Sequence, residues 1–469
     1  MFKLNKINIS GAEVLPIIEG GKGINVSSGL TAGHFAKAGA VGTFSGTNAD
    51  YYDENNNLVR YYYDPKLTRR EKFEKLVEYS IKGALAQAKI ANDVAGGQGR
   101  IHMNLLWEAG GTKRILEEVL SKIKELGLIV HGVTCGAGLP YSLSDIALAH
   151  RVHYYPIVSS ARAFKILWKR SYQKASAWLG GVVYEDPWLA GGHNGLSNQE
   201  NPVVPQDPYP RIVELRTTLN EFNMSHVPII IAGGVWKIKE WEGYLDNKDI
   251  GLVAFQFGTR PILTQESPIP AAWKQLLLTL REGDISLHKF SPTGFYSSAI
   301  NNQFLQNLKA INERQMFASR KQEGNFTREI ASGNGVTVLY VTEEDYSRAM
   351  DYIQQGYDIL LRTPDKSVIF VNKANAQQIK ADQIACMGCL SACRFSGWAE
   401  NEEGSTGIAP DPRSFCIQKT LQDISHDGRV DDNLLFSGHY AYRFAQDDYY
   451  KNGHIPTIAE LVDLISKGE

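Results

Sequence analysis

The sequence has few cysteines and no long apolar run. It contains five cysteines among 469 residues, and four of them follow residue 385. So sparse and uneven a set is atypical of a disulfide scaffold, and clustered thiols in a reducing compartment more often hold metal. No segment has the apolar length that spans a bilayer, and the first residues lack the pattern of a secretory signal. We therefore expect a cytoplasmic protein with no membrane partner.

The chain also lacks an excess of charge of either sign. Its 49 Lys and Arg residues face 51 Asp and Glu residues, so the formal net charge is −2. Nucleic-acid binding relies on concentrated positive charge, and nucleic acid is therefore not an expected partner. An apolar fraction of 43% with 21% charged residues is ordinary for a globular protein that buries a substantial core.

Short apolar or β-branched runs alternate with longer amphipathic segments from residue 14 to about residue 265. This rhythm is typical of repeated βα units around a parallel sheet. A doubly wound open sheet is the main rival, but glycine-rich turns follow most of the runs rather than one switch point. Eight runs are candidate strands, the number that closes a (β/α)8 TIM barrel, and they span residues 14–21, 41–46, 101–106, 128–138, 152–160, 179–186, 227–234 and 250–260.

The expected fold is α/β, with a TIM barrel at residues 1–285 and a C-terminal α+β extension at residues 286–469. The interval after the second strand is long. Its first part, residues 47–70, is a predicted insertion at the top of the barrel, where loops carry function. Its second part predicts a helix over residues 69–91, and the spacing of apolar residues predicts another over 111–127.

The extension has a different pattern from the barrel. Residues 301–330 are predicted to be helical, and residues 336–375 to form a small β-α-β piece. Residues 386–416 carry four of the five cysteines. An amphipathic helix is predicted over residues 457–468.

Two glycine-rich segments follow the last two predicted strands. They are "AGGV" (232–235) and "QFGTR" (256–260). Glycines let backbone N–H groups approach an anion closely, and the loops after strands seven and eight are the usual phosphate cradle of a TIM barrel. Either loop alone would be an ordinary tight turn. Together they predict a ligand that carries a phosphate.

A histidine lies between glycines after the sixth predicted strand, in "AGGHNG" (190–195). A single histidine is more often structural, but small neighbours such as Gly192 would leave His193 open to the barrel mouth. Histidine exchanges protons near neutral pH, so His193 is the candidate catalytic residue. Asn104, at the end of strand three, is a further polar strand end that a flat cofactor could use.

Seven motifs in order resemble the FMN-dependent family that includes nitronate monooxygenases and the flavin-dependent enoyl-acyl-carrier-protein reductase II. The resemblance covers about residues 14–300 and implies a TIM barrel with FMN at its mouth. The motifs are "GGKGINVSSG", "IHMNLL", "TCGAGLP", "YPIVSSARA", "VVYEDPWLAGGHNG", "VPIIIAGGV" and "FQFGTRPILTQES". The resemblance implies that the phosphate lies against Gly233, Gly234, Gly258 and Thr259 with Gln256 nearby, and the isoalloxazine ring near Gly20, Gly21, Asn104 and Glu185.

The two branches of this family imply different chemistry. Nitronate monooxygenases of the best-known type carry a basic histidine at the end of strand five, where this chain has Pro156. His153 is close in sequence, but strand alternation points it elsewhere. The enoyl reductase branch has its histidine in the "GGH" after strand six, which His193 matches. The resemblance thus implies hydride transfer through FMN from NAD(P)H, with His193 as proton donor.

The sequence does not identify the substrate or the electron acceptor. The expected partner is a small molecule: one candidate is an acyl-carrier or CoA thioester, and others are a nitronate as substrate or dioxygen as acceptor. A homodimer is one option for the assembly. A rival interpretation from another class is a flavin-free barrel that acts as a binding protein, and the two glycine-rich loops argue against it.

The remaining motif is the cysteine segment. Cys386, Cys389 and Cys393 have the spacing C-x2-C-x3-C, and Cys416 follows after 22 intervening residues. An iron–sulfur cluster needs four thiolates, and three from one tight turn plus one from a separate segment is a suitable source. Zinc is the second interpretation, although C-x3-C is less typical of zinc ribbons, and unligated thiols are the third. We favour a [4Fe–4S] cluster, as resemblance to the iron–sulfur members of the old yellow enzyme group also implies. Cys135 is expected to be a packed small residue.

Overall fold

Eight parallel strands close into a barrel, as predicted. The computed structural model describes residues 4–59, 64–136, 138–333 and 337–469. Ala137 in the predicted turn after strand four, residues 60–63 of the predicted insertion and Val336 at the start of the predicted β-α-β piece lie outside them. The barrel strands are, in chain order, Ile17–Glu19, Val41–Ser45, Arg100–Leu106, Gly132–Gly136, His153–Val158, Val182–Glu185, Ile229–Ala232 and Val253–Phe257.

Each strand lies beside its neighbours in the chain, and the eighth pairs with the first through Phe257 and Glu19. The barrel interior is packed with apolar side chains from several strands, among them Ile18, Val183 and Ile230. An N-terminal hairpin, Ile7–Ile9 with Ala12–Val14, contributes Ile9 and Val14 to the same core. The interior is thus filled from the N-terminal end, which leaves the other end of the barrel as the open mouth.

Helices surround the barrel and continue into the C-terminal part. The α-helices are Gly29–Lys37, Arg69–Ala95, Thr112–Glu125, Leu143–His150, Ala161–Arg170, Pro208–Glu221, Ala271–Leu277, Gln303–Glu313, Glu343–Gln354, Lys373–Ile384, Ile417–Gln422, Arg443–Gln446 and Ile458–Ser466. The 3-10 helices are Tyr172–Trp178, Ile238–Tyr244, Arg260–Ile262, Asp423–Ser425, His439–Tyr442 and Asp448–Gly453. In the described part of the chain, no helix is both long and apolar enough to cross a membrane.

The helices begin and pack as their sequences require. Thr68 and Glu71 form a capping box at the start of Arg69–Ala95, and Thr457 and Glu460 form another at the start of the last helix. The predicted apolar face of Thr112–Glu125 is buried against the barrel. The last helix contacts the first helix and the first barrel strand, so the end of the chain returns to its beginning.

A small antiparallel sheet covers one side of the barrel mouth. Gly192–His193 pairs with Ser297–Ile300, which pairs in turn with Ile285–His288. The segment after strand six is therefore paired with a strand that lies beyond the predicted boundary at residue 285. The boundary itself stays a prediction.

The prediction of helix over residues 301–330 is wrong beyond Glu313. Strand Gln315–Phe317 joins Ser367–Val371 and Ile359–Arg362 in an antiparallel sheet. The predicted β-α-β piece has its strands and its helix Glu343–Gln354, but its first strand does not join that sheet. That first strand, Val338–Thr342, pairs instead with Phe326–Ala331 in a separate two-stranded antiparallel sheet. Both sheets share one apolar core. The strands Gln315–Phe317 and Phe326–Ala331 were not predicted because their sequences lack a clear alternation of apolar and polar residues.

Candidate active site

One cavity at the barrel mouth collects every residue that was predicted to bind the cofactor, together with the candidate catalytic histidine. Its lining includes Gly20, Gly21, Asn104, Glu185, Gly192, His193, Gly233, Gly234, Gln256, Gly258 and Thr259. These residues come from the ends of strands one, three, six, seven and eight. The sequence separates them by more than two hundred positions, and only the closure of the barrel brings them together.

The loops after strands seven and eight form a cradle of free backbone donors. Gly233 and Gly234 have φ of 87° and 73°, in the left-handed region that favours glycine. A Cβ on Gly233 would lie 2.9 Å from the Cβ of Ala190. The N–H groups of Gly233, Gly234, Gly258 and Thr259 donate no hydrogen bond to another described residue. Unpaired backbone donors that converge on a cavity suit an anion, so the residues present fit a phosphate.

The "GGKG" segment after strand one lies next to the loop after strand eight, because the N–H of Gly20 donates to the carbonyl of Phe257 at 2.8 Å. A Cβ on Gly21 would lie 2.2 Å from the Cγ of Asn104, so this backbone lies directly against the amide. Lys22 lines the cavity and forms an ion pair with Glu19, and the two side chains are 3% and 0% exposed. Glu19 also accepts a hydrogen bond from the backbone N–H of Thr43 at 3.0 Å. A fixed positive charge therefore lies beside the predicted ring site.

Glu185 ends strand six with its carboxyl group in the cavity. Burial raises its pKa to about 8, and the charge of Asp186 adds to the rise. The carboxyl group of Asp186 lies outside the cavity lining. Its Oδ1 accepts hydrogen bonds from the backbone N–H groups of Trp188 and Leu189 at 2.9 and 2.8 Å. At neutral pH the Glu185 side chain is therefore mostly a neutral acid, which can donate a hydrogen bond into the cavity.

His193 is held firmly at the edge of the same cavity. Its backbone pairs with Ser297, its ring makes an edge contact with Phe436 at 5.2 Å, and its Nε2 lies 2.6 Å from the Oγ of Ser291. Burial lowers the pKa of His193 to about 4, so the imidazole is neutral at physiological pH. Its Nδ1 has no hydrogen-bond partner among the described residues. One nitrogen is thus anchored and the other is free for a ligand.

The other histidine weighed from the sequence is remote from this cavity. His153 begins strand five, its N–H donates to the carbonyl of His131 at 3.3 Å, and its ring packs on Trp178 at 5.3 Å. Pro156 is buried within the strand, and Ile157 is the residue of this strand that reaches the cavity. Strand five therefore presents no base at the mouth.

Several lining residues were not predicted from the sequence. Lys22 had a local signal, since a lysine among glycines at a strand end is unusual, and further lining residues come from other barrel loops. The least expected ones come from the insertion and from the tail. They are Thr47, Asn48, Phe436, Ser437, Gly438 and Tyr440. The tail is tied to the phosphate cradle, because the N–H of Gly438 donates to the Oγ1 of Thr259 at 3.0 Å. No periodicity in the sequence indicates such a return of the chain.

The four clustered cysteines line a second cavity, of about 670 Å³. All five cysteines of the chain are free thiols. Cys386 receives a hydrogen bond from Ser396 at 3.0 Å and lies beside Cys393, which together lower its pKa to about 6. Burial raises the pKa of Cys389 and of Cys416. The segment thus brings four thiols to one space, of which Cys386 and Cys393 are buried and Cys389 and Cys416 are partly buried.

The cysteine turn is docked on the barrel through the loop after strand three. The N–H of Gly110 donates to the carbonyl of Cys389 at 3.1 Å, and the N–H of Ser391 donates to the carbonyl of Glu108 at 2.8 Å. Gly388 has a φ of 73°, and a Cβ there would lie 2.7 Å from the Trp398 ring. As a result Cys389 lines both cavities and forms part of the wall between them.

The cysteines do not converge on one point. In the part of the chain that the structure describes, no group of three or more His, Cys, Asp or Glu side chains is placed to hold a metal ion. A single zinc ion needs four ligands within about 2.3 Å of one centre. A cluster of several irons instead needs sulfur ligands around its corners. The described geometry therefore supports neither a zinc ion nor an iron–sulfur cluster.

A barrel with a phosphate cradle, a buried acid and a neutral histidine at its mouth is the site of a cofactor-dependent enzyme. The family model described as "Nitronate monooxygenase" matches residues 5–338. The chain therefore belongs to the nitronate monooxygenase family and is a flavin-dependent oxidoreductase. A comparison with curated proteins finds no match.

Solved structures give more distant likenesses. FabK from Thermotoga maritima is 12% identical, with 97% of this chain and 92% of that chain covered and a TM-score of 0.48. The enoyl reductase domain of MlnA from Bacillus amyloliquefaciens is 13% identical, with 97% and 94% covered and a TM-score of 0.48. Nitroalkane oxidase from Streptomyces ansochromogenes is 16% identical, with 62% and 78% covered and a TM-score of 0.44. These values are too low to add to the argument from the site.

Proposed function

We propose that the protein binds FMN and uses NAD(P)H to reduce an activated double bond of a thioester, with His193 as the proton donor. The observation that carries this proposal is the position of the histidine. His193 shares the mouth cavity with the phosphate cradle, whereas strand five offers only Ile157 there. A proton donor is thus placed to protonate the substrate after hydride addition. At the end of strand five, where the nitronate monooxygenases that this chain resembles carry a basic histidine, no base lies in the cavity.

The residues divide the work between binding and proton transfer. Gly233, Gly234, Gly258 and Thr259 would hold the FMN phosphate through their free N–H groups, with Gln256 beside them. Asn104, Glu185 and Lys22 would orient the ring from strands three and six and from the segment after strand one. When bound, FMN supplies hydride transfer, and the protein supplies orientation and electrostatics. His193 then gives a proton to the carbanion that hydride addition leaves on the substrate.

Two assays on the purified FMN-loaded protein test this function. Crotonyl-CoA with NADPH or NADH under nitrogen should be reduced, and an alkyl nitronate under air should be oxidised slowly or not at all. His193→Gln should lose thioester reduction by about 10²- to 10⁴-fold while FMN stays bound, because proton donation is lost. His226→Gln, on an exposed turn, is the matched control. Rapid nitronate oxidation without thioester reduction would contradict the proposal.

We also propose that Cys386, Cys389, Cys393 and Cys416 hold a [4Fe–4S] cluster. The four thiols line one cavity with room between them, three from a tight turn and one from a separate segment. Zinc is the weaker alternative, since the C-x3-C spacing is less typical of zinc ribbons. Because Cys389 also lines the mouth cavity, the cluster and the FMN would share that residue as a wall.

The test of the cluster is metal and sulfide analysis of anaerobically purified protein. We expect iron and acid-labile sulfide in the wild type and their loss in Cys416→Ser. Cys416 is the preferred target because it lines the cysteine cavity and not the mouth cavity, so bound FMN should be retained. Cys135→Ala, in strand four, should keep the iron. Zinc in the wild type, or iron that survives in Cys416→Ser, would refute the assignment. The cytoplasmic location and the homodimer stay predictions.

A further inference from the structure

A short chain of hydroxyl groups leads away from the catalytic histidine. The Nε2 of His193 lies 2.6 Å from the Oγ of Ser291, and that Oγ lies 2.9 Å from the Oγ1 of Thr293. Ser291 is 3% exposed, whereas Thr293 is half-buried and Phe295 beyond it is 40% exposed. The chain therefore begins at the cavity and ends near the surface.

The turn that carries these hydroxyls is rigid. The N–H of Gly294 donates to the carbonyl of Ser291 at 2.9 Å, with Pro292 at the second position of the turn. The carbonyl of Pro292 accepts a hydrogen bond from the N–H of Arg394 at 2.9 Å. Gly294 has a φ of 79°, and a Cβ there would lie 2.1 Å from the Cζ of Arg394. The cysteine segment thus clamps the turn in place.

The hydrogen bonds are compatible with proton movement toward His193. The Oγ1 of Thr293 accepts the N–H of Phe295 at 3.2 Å, and its hydroxyl can donate to the Oγ of Ser291, which also accepts the N–H of Thr293 at 3.4 Å. The hydroxyl of Ser291 can then donate to the Nε2 of His193. That arrangement leaves the proton of a neutral imidazole on Nδ1, the nitrogen without a protein partner.

A neutral imidazole is a poor acid unless its second nitrogen gains a proton as the first one loses its own. Ser291 is the group placed to supply that proton. Burial lowers the pKa of His288, and this residue lies near enough for the charge of His193 to lower that pKa further. It offers no route, because its Nε2 is buried without a partner among the described residues and its Nδ1 accepts the N–H of Phe290 at 3.3 Å. The route through Ser291 and Thr293 is therefore the one that the described residues provide.

We propose that Ser291 and Thr293 form a proton relay, which delivers a proton from solvent to the Nε2 of His193 as the Nδ1 of His193 protonates the substrate. The inference rests on the proposed function. The Nδ1–H bond of His193 breaks as the new C–H bond forms. The Ser291 proton moves to Nε2, the Thr293 proton moves to Ser291, and water supplies Thr293 and is left as hydroxide. No electrons move in the relay, and the electron pair of the new C–H bond is that of the substrate carbanion.

Half-reaction kinetics test the relay with matched variants. In Ser291→Ala and Thr293→Val, reoxidation of the reduced FMN by crotonyl-CoA should slow by about tenfold to hundredfold. Thr293→Ser restores the hydroxyl and should recover the rate. Reduction of FMN by NADPH should be unchanged in all of them, because no protonation of substrate occurs in that step. Ser297→Ala removes a buried hydroxyl of the same sheet that has no hydrogen-bond partner, and should leave both steps unchanged.

Solvent isotope effects and NMR separate a relay from mere packing. The wild type should show a curved proton inventory for reoxidation, and Thr293→Val a linear one. In ¹⁵N-histidine spectra, His193 should carry its proton on Nδ1 in the wild type and lose that preference in Ser291→Ala. A proton on Nε2 in the wild type would overturn the relay even if crotonyl-CoA is not a substrate. Loss of rate in His193→Gln but not in Ser291→Ala would overturn it while the proposed function stands.

Discussion

Glu185→Gln should change how the stability of the protein depends on pH. Burial raises the pKa of the Glu185 carboxyl from 4.5 to about 8 in the folded state. The folded protein therefore holds a proton that the unfolded chain releases once the pH exceeds about 4.5. Because the unfolded state binds fewer protons in this range, the free energy of unfolding falls as the pH rises from about 4.5 to about 8.

The size of the effect follows from the shift. A difference of about 3.5 pKa units at about 1.36 kcal/mol each gives about 5 kcal/mol. This is an upper limit, because relaxation of the side chain toward water in the cavity raises the effective dielectric constant. We expect the wild type to lose about 2–5 kcal/mol more than Glu185→Gln between pH 4.5 and pH 8. Glutamine cannot ionise, so the variant lacks this slope.

Urea unfolding at a fixed FMN excess, repeated across this pH range, measures the difference. Glu214→Gln, an exposed residue of the helix Pro208–Glu221, is the matched control and should follow the wild type. Infrared difference spectra of wild type against Glu185→Gln should show a protonated carboxyl at pH 6. Parallel stability curves for wild type and Glu185→Gln, or an ionised carboxylate at pH 6, would refute the reasoning.

Two further substitutions test the segment after strand one. Gly21→Ala should abolish FMN binding, measured by flavin fluorescence, because its Cβ would lie 2.2 Å from Asn104, whereas Gly243→Ala meets nothing within 4 Å and should bind normally. Lys22→Met should destabilise the protein by about 3–5 kcal/mol in urea, since it leaves Glu19 buried without its counter-charge. Adding Glu19→Gln to Lys22→Met should recover most of that loss, and no recovery would contradict the ion-pair argument.

The barrel and the glycine and polar residues at its strand ends could be predicted from the sequence because both depend on local patterns. A buried parallel strand needs a short apolar run, and a ligand-binding strand end needs glycine or a polar residue, so each element carries its own signal. Gly233 and Gly258 were found in this way.

The rest could not be predicted because it depends on which distant segments meet. Ser437 and Gly438 reach the cavity only through the fold of the tail, and Ser291 gains its importance from its distance to His193. Strand Gln315–Phe317 is short and lies at the edge of its sheet, and its residues show no clear alternation. Local patterns contain no information of this kind.

The return of the tail to the cavity has a consequence for biosynthesis. The cavity is lined from Gly20 near the start of the chain to Tyr440 near its end, and Gly438 is bonded to the phosphate cradle at Thr259. A ribosome that has completed the eight barrel strands has therefore not yet delivered the last wall of the cavity. The residues proposed to bind FMN, from Gly20 to Thr259, all precede the tail, so the nascent barrel presents them in a mouth that stays open for the time needed to add nearly two hundred residues.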